Sequence, residues 1–164
     1  MTGRFCRLLV RRSWWLVVPA LFLVSGYAAT VDAEEARRLA ILVAAPWDGE
    51  LAMHNDVVAL LRVLRQRGFS PADVLLLEDR LTRRPLLAFL EDADRRIAAW
   101  PSGEVWLFVS GHGAFTGTRP SEARPGLLLS GEVPPSKDHH VGWDEIFATL
   151  QAPPGVRVTL LPDT

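Results

Sequence analysis

A histidine between two glycines is the group in this sequence best suited to acid–base chemistry. His112 is flanked by Gly111 and Gly113, so its imidazole is open to approach from both sides, and imidazole exchanges protons near neutral pH. The backbone N–H of Gly113 has no side chain beside it and can bind a developing oxyanion. Such a short motif also occurs as a tight turn that happens to hold a histidine. The motif alone leaves both interpretations open.

Alternating strands and helices are predicted around this histidine. Apolar runs typical of buried strands alternate with segments whose apolar residues recur at helical spacing. This order predicts a three-layer α/β/α sandwich with a mostly parallel sheet. The predicted strands are 39–45, 74–77, 105–109 and 156–161, and the predicted helices begin near Leu51, after Thr82 and at Asp144. Because ligands bind outside the carboxyl ends of parallel strands, His112 and Asp163 are expected at one edge of the sheet.

The segment before the last helix has a different composition. Residues 114–140 are rich in Gly, Pro, Ser and charged residues, which predicts a long irregular segment with one short extended piece at 127–129. Its adjacent histidines, His139 and His140, cannot converge on one metal as a pair. We therefore expect these two histidines in a solvated loop.

Residues 109–113 (VSGHG) at the end of a predicted buried strand resemble the Ser-Gly-His-Gly motif of the caspase-like superfamily, which includes caspases, metacaspases and bacterial caspase-family proteins. Residues 160–164 (LLPDT) resemble the segment that runs into Asp-Ser-Cys in that family. The other parts agree in order: an apolar strand at 39–43, Asn55 and Asp56 opening the first helix, and Thr82 and Arg83 opening the second. The resemblance covers 38–164 and implies the caspase-haemoglobinase fold, incomplete after its fourth strand.

The resemblance also implies roles for individual residues. His112 would be the general base that activates a thiol, and the N–H of Gly113 would bind the oxyanion. Asp56 and Asp163 would form an acidic pocket for a basic substrate residue, as in metacaspases. Two carboxylates at adjacent strand ends would select Arg or Lys by charge. For Asp56 the alternative is a carboxylate favoured by the dipole at the start of a helix.

The expected nucleophile is a cysteine directly after Thr164. The only cysteine in the sequence is Cys6, so residues 1–164 alone are expected to be inactive. Two departures from the family pattern are the segment 44–47 (AAPW), where many relatives have a Gly-Asn or Gly-Asp turn, and Met53, where metacaspases often have cysteine. The first interpretation is a cysteine-type endopeptidase that acts on a peptide or protein and needs no metal or organic cofactor. The alternative is a non-catalytic caspase-like interaction module.

The N-terminus predicts export. Residues 1–33 contain a basic stretch, an apolar stretch at 14–24 and a small-residue run, the layout of a secretory signal peptide. An uncleaved N-terminal anchor is the alternative, and only in that case is membrane attachment expected. The folded domain at 38–164 is therefore predicted to be periplasmic or secreted. A net charge of -1 gives no basic surface for nucleic acid.

Overall fold

The computed structural model describes residues 37–47, 50–78, 81–117, 119–131 and 135–164. The predicted signal peptide at 1–33 lies outside these residues. The described strands are β1 (Arg38–Ala44), β2 (Val74–Glu78), β3 (Gly103–Ser110), β4 (His112–Thr116), β5 (Arg124–Leu128), β6 (His140–Gly142) and β7 (Val156–Asp163). The helices are α1 (Ala52–Gln66), α2 (Arg83–Ile97) and α3 (Trp143–Thr149), with 3₁₀ turns at Pro71–Asp73 and Pro120–Glu122.

The main sheet has the order β2-β1-β3-β7, and all its neighbouring strands are parallel. This arrangement confirms the predicted α/β class and the parallel four-stranded sheet. The central strand β1 is buried along almost its whole length, as its continuous apolar run predicts. All four carboxyl ends therefore lie at one edge of the sheet.

Helices cover both faces of this sheet. Ile41 of β1 and its register partner Leu107 of β3 pack with the buried residues of α2 and α3. Leu42 and its partner Phe108 pack with the buried residues of α1. This division follows from the two-residue period of a strand, which turns successive side chains to opposite faces.

Helix α1 begins where the apolar pattern predicts, near Leu51, but Asp56 does not lie at its opening. The helix begins at Ala52 and has no acidic residue in its first turn, so Asp56 lies in the second turn rather than at the helix opening. The helix-dipole explanation of Asp56 is therefore wrong, because that interaction falls off within the first turn. The end of α1 agrees with the sequence pattern, since Gly68 follows it with a φ of 79°, which glycine adopts readily.

The short helix α3 corrects another expectation. Its sequence pattern predicts Ile146, Phe147 and Leu150 on the inner side. Ile146 and Leu150 are buried, but Phe147 is exposed. In a helix of seven residues the apolar stripe is narrow, and successive residues lie about 100° apart around the axis. Phe147 therefore turns away when Ile146 packs on the core.

A second sheet runs through the predicted irregular segment. β4, β5 and β6 form an antiparallel sheet in that order. Leu127 of β5 and Val141 of β6 pair with each other and are both fully buried in the core that contains α2 and α3. The predicted extended piece at 127–129 overlaps β5, but β4 and β6 were not predicted, because they are short and lack the alternating pattern along their whole length. Pairing between strands satisfies backbone groups that composition alone assigns to loops.

In the part of the chain that the structure describes, β7 pairs only with β3. The outer side of β7 is therefore an edge of the main sheet in the described residues. Among the described helices, none is long and apolar enough to cross a membrane.

Candidate functional site

The residues before His112 are fixed by the neighbouring strand ends. The carbonyl of Ser110 accepts a hydrogen bond from the N–H of Ala45 at 2.9 Å, and the N–H of Gly111 donates to the carbonyl of Asp163 at 3.0 Å. A Cβ atom at Gly111 would lie 2.8 Å from a methyl group of Leu127. A larger residue here would require the Leu127 side chain to move. The Ser-Gly-His-Gly motif thus follows β3 directly into β4, with His112 at the carboxyl edge of the sheet.

The imidazole of His112 contacts a carboxylate that sequence reasoning missed. Its Nε2 lies 3.0 Å and 3.1 Å from the two side-chain oxygens of Glu50. Both side chains are about one-third exposed, at 36% for His112 and 34% for Glu50. Glu50 lies between β1 and α1, at the same edge as His112. The rule that places functional groups at carboxyl ends of strands would have singled out this glutamate.

Trp47 supports both members of this pair. Its ring lies against the imidazole of His112, with 3.8 Å between the ring centroids and 34° between the ring planes. Its backbone N–H donates to Glu50 at 3.0 Å. The segment at 44–47, which departs from the family pattern, therefore supplies a direct contact to the histidine. Trp47, Glu50 and His112 form one cluster, which we call the histidine clamp.

The clamp changes the acidity of its carboxyl group. The backbone N–H of Trp47 and, after it, the hydrogen bond from His112 hold the pKa of Glu50 below its ordinary value, because both stabilise the ionised form. A lowered pKa means that the contribution of Glu50 to stability is present above the ordinary pKa of about 4.5. This contribution is lost as the pH falls through the lowered value.

Glu50→Gln is expected to make the free energy of unfolding depend less on pH under acidic conditions. The free energy of unfolding of the wild type should fall more steeply than that of the variant below about pH 4.5, because only the wild type must protonate Glu50 in the folded state. Urea unfolding at a series of pH values from about 6 to about 3 measures both curves. Parallel curves over this range would contradict the proposed stabilisation of the Glu50 carboxylate.

The backbone N–H of Gly113 faces away from the small sheet. The N–H of Leu129 donates to the carbonyl of His139 at 2.8 Å, one position beyond the paired residues of β5 and β6. Leu129 and Leu127 therefore direct their backbone hydrogen bonds toward β6. Because backbone groups of successive residues point to opposite sides of a strand, Leu128 directs its hydrogen bonds toward His112 of β4. In β4, His112 therefore faces β5, and the N–H of the next residue, Gly113, points away from β5. In the described residues that side of β4 has no paired strand.

Gly113 also lies beside the end of β7. A Cβ atom at Gly113 would be 3.5 Å from both Cβ and Oγ1 of Thr164. The Ser-Gly-His-Gly motif and the residues after β7 are thus direct neighbours. The structure brings together His112, Gly113 and the segment that the family resemblance connects to the nucleophile.

The two predicted pocket carboxylates flank Ser110. The buried hydroxyl of Ser110 donates to Oδ2 of Asp56 at 3.0 Å. In the sheet, Ser110 is the register partner of Asp163 and of Ala44. Ala44 packs on the side of α1, so register partners Ser110 and Asp163 also direct their side chains to that side. The carboxyl groups of Asp56 and Asp163 therefore lie on one side of the carboxyl edge.

No protein-family model matches this chain, and no curated protein matches it. The site is therefore interpreted from its own geometry.

The adjacent histidines correct one prediction. His140 is buried with 7% of its surface exposed, because it begins β6 rather than lying in a solvated loop. Within the described residues its Nε2 is buried without a hydrogen-bond partner. His139 accepts or donates a hydrogen bond at Nδ1 with the hydroxyl of Ser136, at 3.0 Å. The described residues contain no group of three or more His, Cys, Asp or Glu side chains that can hold a metal ion.

Proposed function

We propose that residues 38–164 are the first part of an exported caspase-like cysteine endopeptidase domain, with His112 as general base. The observation that carries this proposal is the contact of Gly113, the residue after His112, with Thr164. A cysteine directly after Thr164 would begin beside Gly113, whose neighbour in the chain is the proposed base His112. A nucleophile, a base and an oxyanion donor at one point are what acyl transfer requires.

The proposed reaction is peptide-bond hydrolysis. His112 takes the proton of the thiol while sulfur attacks the carbonyl carbon, and the N–H of Gly113 stabilises the negative oxygen. The C–N bond then breaks, and the leaving amine takes the proton from His112. Water hydrolyses the thioester and regenerates the thiol. Residues 1–33 direct export in this proposal.

The proposed substrate has Arg or Lys at the cleaved bond. Asp56 and Asp163 lie on the same side of the sheet next to Ser110, and neither carboxylate has a basic partner among the ion pairs described for this site. Two negative charges beside the reaction centre favour a cationic side chain. Asp56→Asn removes the negative charge and keeps an oxygen that accepts the hydrogen bond from Ser110. Asp56→Ala removes both the charge and the acceptor.

The first experiment reads the coding sequence beyond the Thr164 codon. A cysteine codon followed by further α/β sequence supports the endopeptidase, and a stop codon at that place overturns it for this product. The extended protein is then assayed with fluorogenic peptides that carry Arg, Lys or a neutral residue before the cleaved bond.

Asp56→Asn is expected to reduce the preference for Arg over a neutral residue roughly 10- to 100-fold, because a hydrogen bond to a charged group contributes about 1.5–3 kcal/mol. The ratio of kcat/KM values for the two peptides measures this preference. Asp92→Asn is the matched control, since Asp92 is an exposed residue of α2 that pairs with Arg95. An unchanged ratio in Asp56→Asn would contradict the role of Asp56.

A further inference from the structure

We propose that Glu50 and Trp47 are positioning residues that hold His112 as one tautomer, with the proton on Nε2 and with Nδ1 as the basic nitrogen. This inference deepens the proposed function and rests on it for its catalytic consequence. The tautomer itself is a property of the described residues and is measured without activity.

The tautomer follows from the chemistry of the contact. An ionised carboxylate only accepts hydrogen bonds, and a neutral imidazole has one donor and one acceptor nitrogen. Both oxygens of Glu50 face Nε2 of His112, at 3.0 Å and 3.1 Å. The contact is favourable only when Nε2 carries the proton. A bare Nε2 would set its lone pair against two negative oxygens.

The second support keeps Glu50 in the required place. The backbone N–H of Trp47 donates to Oε2 of Glu50 at 3.0 Å, and the same oxygen lies 3.0 Å from Nε2 of His112. A backbone donor fixes this carboxylate relative to the end of β1. Glu50 is therefore held before any substrate binds, which is the condition for preorganised catalysis.

The third support keeps the ring from turning. Trp47 covers one side of the imidazole, with ring centroids 3.8 Å apart. Rotation of His112 about its side-chain bonds would break both the stacking contact and the bond to Glu50. Trp47 and Glu50, both between β1 and α1, thus restrain both the orientation and the protonation site of the ring.

The position of the clamp decides which nitrogen can serve as base. Glu50 follows β1, whereas Thr164 follows β7, and β3, which leads to His112, lies between those strands. The two nitrogens of imidazole point in divergent directions. A ring whose Nε2 faces the loop after β1 turns Nδ1 away from that loop. In the proposed reaction the thiol proton moves to Nδ1, Nε2 keeps its own proton, and Glu50 stabilises the resulting imidazolium.

The test is nitrogen NMR of the histidine side chains in the complete chain. Long-range ¹H–¹⁵N correlation at an alkaline pH, where a histidine ring is neutral, distinguishes a protonated ring nitrogen from a bare one. The signals of His112 are identified by their loss in His112→Gln. The expected result is a protonated Nε2 and a bare Nδ1. A protonated Nδ1, or an even mixture of the two tautomers, would overturn the proposal.

Two substitutions show whether the clamp causes this state. Glu50→Ala removes the acceptor and is expected to give a mixture of tautomers at His112. Glu50→Gln keeps a side-chain carbonyl and is expected to retain the Nε2–H tautomer. The matched control is Glu78→Ala, because Glu78 contacts Nδ1 of His54 at 2.6 Å at the same edge of the sheet. Glu78→Ala should leave His112 unchanged. A single Nε2–H tautomer in Glu50→Ala would refute the role of Glu50, provided that the backbone spectrum shows a folded protein.

Kinetics in the extended protein give an independent readout. Glu50→Ala is expected to lower kcat roughly 10-fold or more, and less than the loss of His112 does, with a small change in KM, since Glu50 acts through the base. Glu50→Gln should recover part of kcat. An unchanged kcat in Glu50→Ala would overturn the catalytic consequence. If the extended wild type cleaves no peptide while the NMR result holds, the proposed function fails and the tautomer assignment stands.

Discussion

Replacement of His112 with alanine, in the protein that continues with cysteine after Thr164, is expected to lower kcat/KM about 10²–10⁴-fold. This range is the usual contribution of a positioned general base. Without the imidazole the thiol keeps its proton at neutral pH, and only the oxyanion donor and substrate binding remain. Initial rates with an Arg or Lys peptide measure the loss.

The chain supplies its own control for this substitution. His54 also pairs with a glutamate, since its Nδ1 lies 2.6 Å from Glu78, and it lies at the start of α1. His54→Ala therefore removes a similar histidine–glutamate contact from the same edge without removing the proposed base. Activity should persist in this variant. If His112→Ala and His54→Ala both left activity or phenotype unchanged, the non-catalytic interaction module would become the better interpretation.

The main sheet could be predicted from the sequence because each of its elements carries a strong local pattern. β1 is an apolar run buried on both faces, and β3 is a largely apolar run with one face buried and the other partly buried. α2 places Leu86, Leu90 and Ala93 on one buried side at helical spacing, and that spacing is independent of the rest of the fold. Apolar runs and apolar residues at helical spacing therefore indicate which side chains are buried. They also located His112 and Asp163 at the same edge.

The small sheet and the histidine clamp could not be predicted in this way. Strands β4 to β6 depend on pairing between residues far apart in sequence, such as His112 with Leu128, and no local pattern encodes that register. Glu50 follows β1 and is therefore a candidate by the strand-end rule, but no local pattern predicts its contact with His112, 62 positions away. The family resemblance places Asp56 at a helix opening, although the apolar pattern begins that helix near Leu51, and the contact of Asp56 with Ser110 spans 54 positions.

Strand β1 is the most buried strand of the sheet that positions this site. Ile41→Ala is expected to lower the free energy of unfolding by about 2–5 kcal/mol. Ile41 is fully buried and lies between Leu75 of β2 and Leu107 of β3. The lost side chain leaves a cavity that flanking strands cannot fill, since their backbones are fixed by the sheet. Urea unfolding measures this loss of stability. The midpoint urea concentration should fall, while the slope of the unfolding free energy against urea concentration stays the same.

Graded substitutions at Ile41 distinguish burial from strand propensity. Ile41→Val removes one methylene group and keeps the branched Cβ that favours strands, so it should cost about 0.5–1.5 kcal/mol. Val58→Ala removes an apolar side chain that is 39% exposed on α1 and should change stability by about 0.5 kcal/mol or less. If Ile41→Ala cost no more than Val58→Ala, β1 would not be the buried centre of the sheet. The carboxyl edge that holds Glu50 and His112 together would then lack its structural basis.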